Sequence, residues 1–230
     1  MPEPIVPDHQ RLAAMRRSYT LGGLEERDLA PTWSAMLSRW LDDAEAGGVR
    51  EPNAMVVATA DPAGRPGLRT VLLKGLDDTS LTFFTNYESA KGRELAANPV
   101  ASILFPWTDL QRQVRLTGAV RRLDAAASDA YFDSRPYGSR LSAWASDQSR
   151  PAPDRASLEA KRAEALARFP EDGHEEVPVP DFWGGWRIEC DEVEFWAGRR
   201  NRLHDRIVFT RTGPGDLADA SSWTMSRRQP

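Results

Sequence analysis

The sequence has little cysteine and no long apolar run. Cys190 is the only cysteine among 230 residues, so a disulfide within the chain is excluded and a reducing compartment is expected. Its alternation with Trp186 and Ile188 predicts a buried thiol. No apolar run approaches the roughly 20 residues that a membrane span needs, and residues 1–10 lack the apolar centre of a signal peptide. We therefore expect a soluble, cytoplasmic protein without membrane contact.

Common phosphate-binding loops and an excess of positive charge are also missing. Neither G-x-G-x-x-G after a strand nor G-x-x-x-x-G-K-[ST] occurs, so any phosphorylated ligand must be held by side chains. The formal net charge is −4 at pH 7, which argues against nucleic acid as a partner. His174 lies in an acidic segment without a second histidine nearby, so we expect no metal site.

What the sequence does contain is a succession of short β-rich runs interrupted by helical patterns. The β-rich runs are 54–60, 67–76, 80–86, 100–107, 112–123, 182–190, 192–198 and 202–211, with a last one at Trp223. The helical patterns are 31–48, 88–99, 124–136 and 158–169, with a possible short one at 11–20. This pattern favours an α+β protein, mainly β, built as a barrel of sequential antiparallel strands. We predict disorder over 1–15 and a single domain over 16–230.

The segment RNRLHDR, residues 200–206, combines three arginines with one of the three histidines of the chain. Read as a β-strand, it places Arg202, His204 and Arg206 on one face, roughly 7 Å apart. Such a row can address one or more anionic or heterocyclic ligands along a single strand.

Two further pairs of polar residues each have two interpretations. Arg69 and Lys74, five residues apart, would lie on opposite faces of a regular strand. They are either its solvated ends or cations for two different anions. Lys91 lies in the first turn of a predicted helix that Ser89 begins, where a cation opposes the helix dipole. It is either an exposed lysine or shares an anion with the free N–H groups of the helix.

Hydroxyl and amide groups complete the candidates. Tyr131, Arg135 and Ser139 surround a predicted Pro-Tyr-Gly turn, which is either an ordinary helix-to-loop junction or a phosphate monoester site. Gln113 lies in an aromatic-rich segment, and its amide can bond both the donor and the acceptor edges of a heterocycle. Together these signals indicate two separate phosphate-binding groups on a β scaffold.

Motifs in this order resemble those of the pyridoxamine/pyridoxine 5'-phosphate oxidase family. They are RTVLLK, FFTN with SAKGREL, LFPW with RQVR, YFDSRP, FWGG, EFW with RLHDR, and the terminal RRQP. The resemblance runs from about Arg16 to Pro230. It implies an antiparallel split β-barrel that forms a homodimer with FMN at the subunit interface. It also implies that pyridoxamine 5'-phosphate or pyridoxine 5'-phosphate is oxidised to pyridoxal 5'-phosphate, with O2 reduced to hydrogen peroxide.

The resemblance also assigns roles to individual residues. Contacts to FMN are implied for Arg69, Thr70, Val71, Leu72, Leu73, Lys74, Phe84, Thr85, Ser89, Lys91, Gln113, Gln148, Ser149, Trp196 and Arg206. Contacts to substrate are implied for Arg16, Tyr19, Lys74, Tyr131, Arg135, Ser139, Arg202 and His204. Of these, Arg202 and His204 would face the substrate ring as catalytic residues, and Arg16 to Tyr19 would close over it.

Three positions depart from the family pattern. Ala90 replaces a common arginine and leaves more of the flavin phosphate to Lys91, Glu51 replaces a common aspartate, and Phe84 replaces a common tyrosine. Two rival functions therefore stay open at this point. One is a flavin oxidase of the same fold that acts on another aromatic metabolite, and the other is a non-catalytic carrier of flavin or pyridoxal phosphate.

Overall fold

The computed structural model describes residues 9–15, 17–171, 176–213 and 219–230. Its helices are α1 His9–Ala14, α2 Trp33–Ala46, α3 Ala90–Ala97, α4 Ala125–Asp133, α5 Tyr137–Ala145 and α6 Arg155–Arg168. Its strands are β1 Ala54–Ala60, β2 Pro66–Leu72, β3 Gly75–Leu76, β4 Ser80–Asn86, β5 Val100–Trp107, β6 Arg112–Arg122, β7 Trp183–Ala197, β8 Asp205–Arg211 and β9 Trp223–Arg227.

All these strands belong to one antiparallel sheet in the order β2-β1-β5-β6-β7-β4-β3, with β8 paired to β7 and β9 paired to β8. The first and last strands of this path, β2 and β3, are separated along the chain only by Leu73 and Lys74. The Leu73 N–H donates to the Asn53 carbonyl at 2.9 Å, and the Lys74 N–H donates to the Thr82 carbonyl at 2.8 Å. The sheet therefore curves back on itself as an open barrel. The predicted α+β class with an antiparallel sheet is confirmed. Most successive strands pair as predicted, but β2 does not pair with β3 and β4 does not pair with β5, because β1 pairs with β5 and β4 with β7.

Helix α2 packs on the sheet because its apolar residues recur on one face. Its N-cap Thr32 accepts a hydrogen bond from the Ala35 N–H at 3.2 Å. Trp33, Met36 and Trp40 are almost completely buried, each burial contributing on the order of 2 kcal/mol. A second, smaller core lies between α4, α5, α6 and the start of β7, where Phe132, Leu141, Phe169 and Trp183 are buried.

Strand β7 is one strand of 15 residues, where the sequence predicted two strands. The pairing with β6 shifts between Thr117 and Gly118, which oppose Glu192 and Cys190. Asp191 is thus the extra residue of a β-bulge, which lets the strand continue through a polar position. A Cβ on Gly118 would lie 1.9 Å from the Glu189 carbonyl oxygen, so the close approach of β6 to β7 here requires glycine.

Two strand predictions that concern the candidate site are wrong. Arg202, His204 and Arg206 do not share a strand face, because Asn201 and Arg202 have φ of 58° and 62° and β8 begins only at Asp205. Arg69 and Lys74 do not share a strand, because β2 ends at Leu72. In both segments the backbone turns where the sequence predicted a continuous strand, and the alternation of side-chain types does not reveal such a turn.

Two other predictions differ from the structure. The predicted Pro-Tyr-Gly turn is the start of a helix, α5, with Pro136 at its N-cap. Helix α1, His9–Ala14, lies within the segment 1–15 predicted to be disordered, and residues 1–8 lie outside the described ranges. The single domain over 16–230 stays a prediction. Across the described parts of the chain, no helix is long and apolar enough to cross a bilayer.

Candidate functional site

Four predicted cofactor-binding residues converge at the N-terminus of α3. The Lys91 ammonium donates to Oγ1 of Thr85 at 2.9 Å, to Oε1 of Gln148 at 2.7 Å and to Oγ of Ser89 at 3.4 Å. Ser89 is the N-cap and accepts from the Gly92 N–H at 3.2 Å. Lys91 is only 8% exposed. Of the two interpretations made from the sequence, the one in which Lys91 is an exposed surface lysine is therefore wrong.

The Lys91 cluster has the electrostatic character of an anion site. Burial and, to a smaller extent, the neighbouring Arg69 guanidinium together lower the pKa of Lys91 to about 8. A buried ammonium at a helix N-terminus faces the positive end of the helix dipole, which is costly without an anion. A phosphate bound here would receive hydrogen bonds from Lys91, Ser89 and the first N–H groups of α3.

Arg69 lies on β2 beside this cluster and is held by a carboxylate. Its Nη2 donates to Oε2 of Glu94 at 2.9 Å, and Oγ1 of Thr59 contacts both side chains. Burial raises the pKa of Glu94, but hydrogen bonds from Thr59 and Arg69 outweigh it and lower the pKa overall. Glu94 was not predicted as a site residue. Its place within α3 does not indicate a contact with Arg69, which becomes evident only once the pairing of β1 with β2 is known.

A guanidinium with free bonding capacity lies on the other side of β4. Arg135 packs over the Trp183 ring at 4.7 Å, and its Nη1 is buried without a hydrogen-bond partner among the described residues. Burial also lowers the pKa of Arg135. Tyr131 stacks on Phe84 with ring centroids 3.9 Å apart. A buried unpaired donor of this kind is costly, and an anionic ligand satisfies it.

Other predicted residues lie around these two clusters. Ser139 lies in the first turn of α5, where its N–H donates to the Pro136 carbonyl at 2.8 Å. Lys74 is exposed beside Thr82 of β4. Ser149 follows Gln148 with φ of 71°. The backbone run Thr70, Val71 and Leu72 pairs with β1, and Leu73 is buried at its end.

A second group of predicted residues forms a row across three strands. Gln113 on β6 is the register partner of Trp196 on β7, and Trp196 is the partner of Arg206 on β8. Side chains of such partners project from the same face of a sheet. Arg206 pairs with the buried Glu194 through two hydrogen bonds of 3.1 and 2.7 Å.

The predicted catalytic residues lie at the end of this row. His204 packs against Trp196 at 4.7 Å and against Tyr19 at 5.5 Å between ring centroids. Arg202 and His204 line a cavity of about 660 Å³. The remaining lining residues are Met15, Arg17, Ser18, Tyr19, Arg199 and Asn201. Arg16 lies outside the described residues.

One chain does not bring these two groups together. Thr85 pairs with Gly184 near the start of β7, whereas Gln113 pairs with Trp196 near its end. Twelve residues of strand span about 40 Å. The Lys91 and Arg135 clusters therefore lie at one end of β7, and the row with Trp196 and the His204 cavity lies at the other.

No metal centre is evident in the described ranges: no group of three or more His, Cys, Asp or Glu side chains there could hold an ion. His174, the histidine considered from the sequence, lies outside those ranges. The clusters just described present cations, amides and aromatic rings, which are the chemistry of organic anions with flat rings.

An open antiparallel barrel with two cationic clusters and an aromatic row has the architecture of a split-barrel protein, and its clusters fit anionic ligands with flat rings. Residues 41–168 match the family model for pyridoxamine 5'-phosphate oxidase, and residues 183–230 match the pyridoxine 5'-phosphate oxidase C-terminal dimerisation region. The chain belongs to the pyridoxamine 5'-phosphate oxidase family. Strand β7, in the second matched region, pairs with β4 and β6 of the first, so the two regions share one sheet.

Relatives of full length are similar over nearly the whole chain. The pyridoxine/pyridoxamine 5'-phosphate oxidase of Rubrobacter xylanophilus is 49% identical over 219 residues, covering 95% of this chain and 96% of that protein. The protein of the same name from Mycolicibacterium paratuberculosis is 51% identical over 213 residues, covering 89% and 94%. These relatives are oxidases by name, so the family is one of oxidoreductases.

Solved structures share the fold. PhzG from Burkholderia lata, in complex with tetrahydrophenazine-1-carboxylic acid, has a TM-score of 0.80 at 32% identity, covering 93% of this chain and 100% of its own. An FMN-binding protein from Nostoc punctiforme, related to pyridoxamine 5'-phosphate oxidase, has a TM-score of 0.65 at 21% identity, covering 88% and 98%. The second likeness shows the fold alone.

Proposed function

We propose that this protein is an FMN-dependent oxidase that forms pyridoxal 5'-phosphate. Pyridoxine 5'-phosphate and O2 would give pyridoxal 5'-phosphate and hydrogen peroxide, and pyridoxamine 5'-phosphate would also consume water and release ammonia. The observation that carries the proposal is the presence of two separate cationic clusters, around Lys91 and around Arg135, at one end of β7. Two phosphorylated ligands, one cofactor and one substrate, fit two such clusters.

The residues at α3 fit the phosphate of FMN. Lys91, Ser89 and Thr85 would hold that phosphate, with Gln148 and Ser149 beside them and Arg69 released from Glu94 to add a second cation. In a dimer, the row of Gln113, Trp196 and Arg206 from the partner subunit would contact the flavin ring through amide, indole and guanidinium groups. When bound, FMN supplies the hydride-accepting ring and passes the electrons to O2.

The residues around Arg135 fit the phosphate of the substrate. Its buried, unpaired Nη1 supplies a charge-assisted hydrogen bond, and Tyr131, Ser139 and Lys74 would complete the oxygen contacts. This phosphate is remote from the reacting carbon, so its binding energy positions that carbon instead of acting on it directly. Arg202 would stabilise negative charge on the pyridine oxygen, and His204 would hold or exchange a proton there.

We propose that the site forms between two copies of this chain. The two groups of residues are separated by the length of β7, and residues 183–230 match a dimerisation region. A symmetric dimer would place the His204 cavity of one subunit against the Lys91 and Arg135 clusters of its partner, twice. Both groups would then contact one stacked pair of rings.

One finding favours a second candidate, a flavin oxidase for another aromatic metabolite. The PhzG likeness covers nearly the whole chain, and its bound molecule is a carboxylic acid without phosphate. The unpaired guanidinium of Arg135 favours a phosphorylated substrate instead. A carrier without catalytic activity is the third alternative from the sequence.

Peroxide release in air distinguishes these functions. The FMN-loaded protein is supplied with pyridoxine 5'-phosphate, pyridoxamine 5'-phosphate, unphosphorylated pyridoxine, or a reduced aromatic carboxylic acid. We expect peroxide in amounts equal to pyridoxal 5'-phosphate with the first two and a much lower kcat/KM with pyridoxine. Turnover of the carboxylic acid alone would support the second candidate, and no peroxide with any compound would support a carrier.

A further inference from the structure

We propose that Gln111 and Asp205 are positioning residues that anchor residues 17–24, here called the strap, so that Tyr19 covers the His204 cavity. The inference rests on the proposed function for its kinetic consequences, but the anchoring itself does not. Both residues lie outside the predicted catalytic and binding sets. Each joins the strap to the end of β7 or the start of β8, where the cavity lies.

Gln111 holds the middle of the strap. Its side-chain Oε1 accepts hydrogen bonds from the backbone N–H groups of Thr20 at 2.8 Å and Leu21 at 3.2 Å. Its own carbonyl accepts from the Gly198 N–H at 2.8 Å, directly after β7. Gln111 has φ of 55°, a left-handed conformation that a side chain disfavours and that packing must maintain. One residue thus links the strap to the strand that carries Trp196.

Asp205 holds the end of the strap. Asp205 is 7% exposed, and its carboxylate accepts from the Leu24 N–H at 2.8 Å and from Arg227 Nη1 at 2.6 Å. Arg199 Nε contacts the same carboxylate, and the Arg199 backbone N–H donates to Nδ1 of His204. The residue next to His204 therefore fixes both the strap and the segment that orients the imidazole.

Two glycines allow close contacts around the strap. A Cβ on Gly198 would lie 2.7 Å from the Tyr19 ring, and a Cβ on Gly23 would lie 2.2 Å from the Arg199 guanidinium. The Tyr19 ring lies edge-on to Trp196, 5.8 Å between centroids. The strap forms one wall of the cavity and Arg202 with His204 forms the other. Its position therefore decides how closely Tyr19 approaches a bound substrate.

The main test removes the acceptor of Gln111. Gln111→Met keeps the length of the side chain but cannot accept the two N–H groups, whereas Gln111→Glu retains an acceptor oxygen. We expect Gln111→Met to raise the hydrogen-exchange rates of the Thr20 and Leu21 amides at least tenfold, measured on peptides spanning 17–24. Gln111→Glu should restore slow exchange. Asp154→Ala, which removes one side chain–backbone hydrogen bond at the start of α6, should leave these rates unchanged.

Kinetics then test whether Gln111 acts through Tyr19. We expect Gln111→Met to raise KM for pyridoxine 5'-phosphate about tenfold, as expected for a lost hydrogen-bonded anchor, with kcat changed less than twofold and FMN retained. In a Tyr19→Ala background the same substitution should have no further effect on KM. Asp205→Asn, if it folds, should also raise exchange over 17–24.

The possible outcomes separate this inference from the proposed function. Unchanged exchange in Gln111→Met, or a KM effect that persists in full without Tyr19, would overturn the inference. If the wild-type protein oxidises neither phosphorylated substrate, the proposed function fails, and the exchange comparison still decides whether Gln111 anchors the strap.

Discussion

The backbone N–H of Arg199 donates a hydrogen bond to Nδ1 of His204, at 3.1 Å. Nδ1 is therefore an acceptor, and the neutral imidazole carries its proton on Nε2. Burial lowers the pKa of His204 below its ordinary value of 6.5, and the positive charge of Arg202 lowers it further. His204 thus faces the cavity as a neutral ring with Nε2 as a donor.

This relationship predicts the pH dependence of turnover. His204 is half protonated at a pH below its ordinary pKa of 6.5, because burial and Arg202 lower its pKa in the folded protein. We expect an acid limb of kcat/KM below that pH, which is absent in His204→Asn, a variant that keeps a donor but cannot titrate. An identical acid limb in the variant would assign the titration to another group.

Lys91 predicts a pH dependence of cofactor binding. Its pKa of about 8 means that the ammonium loses its proton, and its attraction for phosphate, as pH rises through this value. The pKa of the free protein sets where the affinity begins to fall, so the FMN affinity of the apoprotein should decrease as pH rises above about 8. A bound phosphate favours the charged form and raises the pKa in the complex, which sets the pH at which the decrease ends. We expect fluorescence titrations to show this fall in the wild type but not in Lys91→Arg, which stays charged. Riboflavin, which has no phosphate, should bind with the same affinity throughout, and a parallel fall for riboflavin would contradict the assignment.

Arg135 predicts the phosphate dependence of substrate binding. Arg135→Ala removes a charge-assisted pair worth roughly 1.5–3 kcal/mol, so KM for pyridoxine 5'-phosphate should rise by one to two orders of magnitude. Steady-state kinetics check this, with Arg168→Ala as a matched control because Arg168 also packs over a tryptophan, Trp144. An unchanged KM in Arg135→Ala would remove this residue from the phosphate site.

The length of β7 predicts that two impaired variants restore activity when their subunits are combined in one dimer. Arg135 lies near the first residue of β7 and Arg202 lies beyond its last, so one site would take them from different subunits. Arg135→Ala and Arg202→Ala homodimers should both be impaired. A hybrid dimer isolated with two affinity tags should regain about half of the wild-type kcat, because one of its two sites is intact. No recovery in the hybrid would place both arginines in a site of one chain.

Sequence patterns located the chemistry of the Lys91 cluster but not its burial. Ser89 followed by Lys91 is a local signal of a helix N-terminus, and the structure confirms the helix. The contact with Gln148 joins residues 57 positions apart, which local spacing does not encode. Glu94 and Asp205 were missed for the same reason, because their partners Arg69 and Arg227 lie far away in the sequence.

The segment RNRLHDR shows why alternation misled. Its polar and apolar residues fit a strand, but Asn201 and Arg202 turn the backbone through positive φ. Asparagine tolerates this conformation, and the loop aims His204 at Trp196 instead of continuing the strand. Strand β7 shows the opposite error. The sequence predicted two strands separated at Asp191, but Asp191 is a bulge within one continuous strand.

The most direct test of the proposed oxidase activity is the visible spectrum of the FMN-loaded protein when pyridoxine 5'-phosphate is added without oxygen. We expect that the flavin absorption bleaches, that pyridoxal 5'-phosphate forms in an equal amount, and that admitting air restores the colour with release of hydrogen peroxide. A flavin spectrum that stays unchanged with both pyridoxine 5'-phosphate and pyridoxamine 5'-phosphate would contradict it.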